Sequence, residues 1–144
     1  MTTFFAVRDV IAEKLKEITE FKKIYTPANS TTVKELGQVT PSAHVNFVRL
    51  QKVADKGSSK SNLVKKQWAV SVACRNARSQ QSNGNALNDE IGLLTDKVIN
   101  LLSGLETDHS ADPLVFVDVR DGYSTGYAYV TIIFESNHFM QSTG

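Results

Sequence analysis

The stretch Trp68-Ala69-Val70-Ser71-Val72-Ala73-Cys74 decides how the rest of the chain is read. Trp68, Val70, Val72 and Cys74 alternate with Ala69, Ser71 and Ala73, and a period of two places the two sets on opposite faces of a β-strand. The strand reads as residues 66–75. Upstream, residues 43–51 form a second strand carrying Val45, Phe47, Val48 and Leu50. Its apolar phase changes between Phe47 and Val48, which predicts a bulge or a strand buried on both faces. Between these strands, residues 52–66 read as a flexible, Gly/Ser/Lys-rich hairpin arm with no hydrophobic reason to fold back.

Further out, Phe4, Val7, Ile11, Leu15 and Ile18 recur every three or four residues, one stripe of an amphipathic helix with Thr2 or Thr3 as N-cap. Residues 22–26 suggest a short strand closed by Pro27. Thr32 and Glu35 have capping-box spacing before Gly37, so a one-turn helix is expected there. Downstream, Leu87, Ile91, Leu94, Val98, Leu101 and Leu105 line a second long helix that Gly104 stops. Strands are expected over 114–120 and 127–135, with the turn at Asp121-Gly122 and Gly126 and a frayed tail over 138–144. The expected fold class is α+β: a single domain over 1–144, with a mostly antiparallel β-sheet and two long helices packed on one face, in the order α-β-(short α)-β-β-α-β-β.

Size and composition agree. A chain of 144 residues is one ordinary domain, and 41% hydrophobic with 22% charged residues is globular. The net charge of +1 gives no global field for nucleic acid or acidic membrane. No apolar run is long enough for a signal peptide or a membrane span, so a soluble cytoplasmic protein without a membrane partner is expected. Cys74 stands alone, which rules out an intramolecular disulfide and fits a reducing compartment. In its apolar run it reads as a small buried hydrophobe; a nucleophile would need an activating His that nothing nominates.

The residues nominate no catalytic, metal or cofactor site. His44, His109 and His138 fall on a strand start, a loop and the tail, none at ligand spacing with a second His or a Cys. There is no phosphate-binding glycine loop and no nucleophile motif, so a non-enzyme is expected. Charge gathers only in the arm, at Lys52, Lys56, Lys60, Lys65 and Lys66, opposed by Asp55. That arm is either a solvated tip or a contact onto a neighbouring subunit, an acidic partner or nucleic acid. It lacks the interleaved aromatics of a single-strand binder. Arg75 and Arg78 suit an inter-subunit ion pair or a structural cap. Tyr123, Tyr127 and Tyr129 suit a core edge or an interface.

The ordered segments resemble the tail-terminator (tail-completion) proteins of tailed bacteriophages and prophages. The N-terminal helix over 7–18, Val33-Lys34-Glu35-Leu36-Gly37, the strand over 43–48 and the Leu-rich helix over 83–105 carry this resemblance. Its most telling part is the strand from Trp68 that exits through Arg75-Asn76-Ala77-Arg78. The resemblance implies a ring, usually a hexamer, that stacks on the last ring of tail tube protein and stops its polymerisation. The ring would present its other face to a head-side connector protein, with DNA only passing through the lumen. It implies assembly in the host cytoplasm and residence in the virion tail. The strongly basic arm departs from the family, in which such loops vary. Two alternatives remain: another head–tail joining or connector protein, and a small nucleic-acid-binding module using the arm with Arg75 and Arg78.

Overall fold

The computed structural model describes residues 4–27, 39–55, 61–75, 84–124 and 126–141. Helix α1 (Ala6–Leu15) leads to strand β1 (Lys23–Tyr25), then the long pair β2 (Ser42–Asp55) and β3 (Ser61–Arg75). Helix α2 (Gly84–Leu102) and the pair β4 (Val115–Ser124) and β5 (Tyr127–Gln141) follow. The five strands form one sheet in the order β1-β2-β3-β5-β4. All neighbours are antiparallel except β1, which runs parallel to β2. The sheet is thus mostly antiparallel, as expected, and is made mixed by β1 alone.

The alternation that begins at Trp68 sets the core. Trp68, Val70, Val72 and Cys74 face the helices with Ala43 and Val45 of β2 and Ala128, Ile132 and Phe134 of β5, all buried. Against them α1 lays Val7, Ile11 and Leu15, and α2 lays Ile91, Leu94, Val98 and Leu102. Each such side chain contributes about 1.5–3 kcal/mol of transfer free energy, which offsets the entropy of ordering the helices, of which α1, at 10 residues, is too short to stand alone. The segment after α1 is tied to α2 by the Lys97–Glu20 ion pair.

Local chemistry accounts for the boundaries. After Leu15 the amides of Lys16, Glu17 and Ile18 turn to carbonyls three residues back, which ends α1 while still burying Ile18. The N-cap is Phe5, without a side-chain cap; Thr2 and Thr3 lie outside the described residues, as does the expected one-turn helix at 32–37. Gly104 takes φ of 77°, open to glycine without a steric penalty, and its amide bonds to the Leu114 carbonyl, turning the chain from α2 toward β4. The turn of the last hairpin falls at Gly126 (φ 87°), and β4 runs straight through Asp121-Gly122.

Two segments are more ordered than the sequence suggests. The strands of the β2–β3 hairpin stay paired out to Asp55 and Asn62, so only 56–60 lies outside the described arm. Likewise β5 continues past Glu135 to Gln141, and His138 is buried. The reason is mutual: residues 61–65 of β3 and 137–141 of β5 satisfy each other's backbone groups. The bulge expected at Phe47/Val48 is present, with the register shifting between Phe47 and Arg49.

Candidate functional site

The basic arm divides once its side chains are placed. Lys52 is exposed on β2. Lys65 is half-buried and pairs with Glu135 at 3.3 Å, on the face turned away from the helices. There it joins a polar row: Gln67 donates to Glu135 at 2.8 Å and Arg49 donates to Gln67 at 3.3 Å.

Lys66 points to the opposite face and is only 5% exposed. Its Nζ donates to the Phe4 carbonyl at 2.8 Å and lies 3.9 Å from the centre of the Phe4 ring. Burial lowers its pKa. Beside it, Trp68 Nε1 donates to Ser136 Oγ at 2.8 Å, and that hydroxyl lies 2.6 Å from His138 Nε2. The His138 imidazole is pushed down to about 4, first by burial and then by the Lys66 charge, opposed by a hydrogen bond to the His109 backbone. Lys66 thus fastens the N-terminal segment to the sheet within its own chain. The signal was available in the sequence: Lys66 sits two residues before Trp68, on the same face of a strand.

Arg75 is exposed at the end of β3, and Arg78, Lys56 and Lys60 lie outside the described residues. Tyr127 is buried and its ring lies 6.3 Å from that of Tyr129, so this pair belongs to the core edge. The Tyr123 side chain lies outside the described residues.

Cys74 is buried, and its Sγ lies 3.9 Å from Glu90 Oε1. Burial, then the Glu90 charge and hydrogen bond, pushes the thiol up to about 12. Since the thiolate is the reactive form, the native protein is expected to stay silent toward a thiol-disulfide reagent at pH 8. It should release one equivalent per chain after denaturation, and rapid labelling of the native state would contradict this account. Among the described residues no three His, Cys, Asp or Glu side chains gather to hold a metal, and no helix is long and apolar enough to cross a membrane.

The surfaces that remain belong to the sheet edges. Beyond β1, which covers only residues 42–44, β2 has no strand on its outer side among the described residues. Among the described residues no strand pairs with the outer side of β4. Exposed apolar side chains gather at both: Val48, Leu50 and Val53 on β2, and Val115, Phe116, Val117 and Val119 on β4. Sequence periodicity missed this because it reports which face a residue takes and not which strand ends up outermost. On the face away from the helices, a groove of about 370 Å³ runs between Val48 and Arg49 on one side and Val117, Asp118 and Arg120 on the other. Residues 1–144 match a family model described as phage tail terminator protein. No curated protein matches the chain.

Proposed function

Since this chain belongs to the phage tail terminator family, a structural family of the virion tail, we propose that it assembles into a ring, usually of six copies in this family, that caps the end of the tail tube. The observation that supports the ring is the pair of apolar edges, on opposite sides of one sheet, that carry no further strand among the described residues beyond β1 on residues 42–44. Different patches at the two sides of a subunit associate head to tail and close when the rotation allows. One face of the ring would match the tube subunit and offer it no surface for further growth; the other would meet the head-side connector. DNA would only pass through the lumen. Assembly would take place in the host cytoplasm.

The arm's part in this is narrower than its composition suggests. Lys65 and Lys66 have partners within the chain, so contacts with neighbours would fall to the exposed Lys52 and Arg75 and to Lys56, Lys60 and Arg78, which lie outside the described residues. Because Lys65 and Lys66 are engaged within the chain, they weaken the nucleic-acid reading, which needs cations able to meet phosphates.

Light scattering at low and high salt, with and without the cognate tube protein, tests the proposal. A ring in solution, or a monomer that joins only tube ends and halts their growth, is the expected result. A monomer indifferent to tubes that binds DNA at low salt would overturn it in favour of a nucleic-acid module.

A further inference from the structure

We propose that the free edge of β4 in one copy pairs antiparallel with the free edge of β2 in the next, so that the ring is one continuous, tilted sheet. This rests on the ring reading and specifies which strands join. Direction permits it. Each of the steps β2–β3, β3–β5 and β5–β4 is antiparallel. β4 therefore runs opposite to β2, and a copy rotated about an axis near the strand direction brings the two edges together in antiparallel sense.

The two edges are built alike. Phe47, Trp68, Phe134 and Phe116 stand side by side across β2, β3, β5 and β4. Immediately after this row each outer strand carries one extra residue, Val48 in β2 and Val117 in β4, with no register partner. Both are exposed, Val48 at 45% and Val117 at 43%. Long apolar edges with unpaired backbone groups are a liability that soluble proteins otherwise cover or charge. The charge present here leans toward complementarity: the β2 edge carries Arg49 and Lys52, and the β4 edge carries Asp118 and Asp121 against a single Arg120, which is paired with Asp118 at 3.1 Å. The amide of Val119 is bonded to its own Asp118 carboxylate at 2.9 Å, so that donor is held by a side chain that a partner strand can displace.

The stagger also fits. Val115 stands in the row of Arg49, and from there β4 runs one way to the row of Arg75 while the free part of β2 runs the other way to Asp55. The midpoints of the two edges are thus offset by roughly five residues over four strands. A closed barrel whose strands tilt about 36° steps about one residue per strand, so an offset of this order closes into a tilted ring where level edges would extend a flat ribbon.

Proline tests the pairing where it costs the fold least. A bulge residue is a tolerated place for Pro in a strand, and the ring removes a donor from the edge. Val48→Pro blocks the β2 edge and Val117→Pro the β4 edge, with circular dichroism as the check on folding. Each variant alone should be monomeric under conditions where the unaltered protein forms rings, in solution or on tube ends. Mixed one to one, they should form a dimer and stop, because only one intact β4 edge and one intact β2 edge remain. If either variant fails to fold, the charge-reversed pairs Arg49→Glu/Lys52→Glu and Asp118→Lys/Asp121→Lys replace them: each alone should be monomeric, and their one-to-one mixture should re-form rings, because each reversed edge then meets an edge of opposite charge. Rings of unaltered mass from any blocked or reversed variant alone, or a mixture that stays monomeric, would overturn the edge pairing and leave the ring reading standing. Failure of the unaltered protein to form a ring in solution or on tubes would overturn the ring reading, and the edge pairing with it.

Discussion

Replacing Trp68 with alanine is expected to cost about 3–5 kcal/mol of stability, the range for deleting a buried aromatic side chain. Trp68 is fully buried, its ring lies 5.5 Å from that of Phe47, and it stands in register between Phe47 and Phe134. Alanine would open a cavity at the centre of the sheet and strip Ser136 of its indole donor. A domain of ordinary stability, about 5–15 kcal/mol, loses a large fraction of its margin. The melting temperature should fall by about 10–15 °C. Trp68→Phe keeps most of the volume and should cost less than half as much. Urea unfolding of both variants measures the difference; equal and small losses would mean that the sheet collapses around the site and that Trp68 is not its keystone.

The second large effect is on acid stability. His138 is held neutral in the fold, at about 4 against an ordinary 6.5, so between those values the unfolded chain binds a proton that the native protein refuses. Stability is therefore complete above pH 6.5, declines as the pH falls toward 4, and levels off below it as far as this group is concerned. The full loss is up to about 3 kcal/mol for a shift of this size. His44, lowered by its own burial, adds to the decline in the same direction. In His138→Gln, which keeps a polar partner for Ser136, urea midpoints should fall less steeply between pH 6.5 and 4. A slope unchanged from that of the unaltered protein would show that His138 does not carry the dependence.

Much of the architecture was legible because its determinants are local. The 68–74 alternation, the phase slip at Phe47/Val48 and the Ile91–Leu94–Val98 stripe report directly on which side chains meet the core, and the core contains them. Gly104 marked the end of α2 for the same reason, since positive φ is a property of one residue. What could not be read is long-range. Strand order depends on pairings between distant segments, so the position of β5 between β3 and β4 has no local sign. His138 looked like part of a frayed tail because Asn137, His138 and Gln141 are polar. Strand parity nonetheless continues from Phe134 through Ser136 to His138, and β3 supplies the pairing. The arm misled in the other direction: counting five lysines as one patch ignored that Lys65 and Lys66 point to opposite faces of the same strand. A sheet edge is a property of strand order and not of residue type, so the exposed edges of β2 and β4 have no local sign in the sequence either.

The place of β5 also bears on how the protein is made. It is the last described strand in the chain but an interior one in the sheet, pairing with β3 across roughly 50 to 80 intervening residues, and such non-local pairings are slow to form. While the ribosome has delivered only the portion through β4, that strand has no neighbour to hold it and the central strand is missing one flank. A nascent or prematurely terminated chain therefore has no β4 edge in position to offer. If that edge pairs as proposed, competence to assemble would arrive only with the synthesis of Tyr127–Gln141, and translation itself would screen out incomplete subunits.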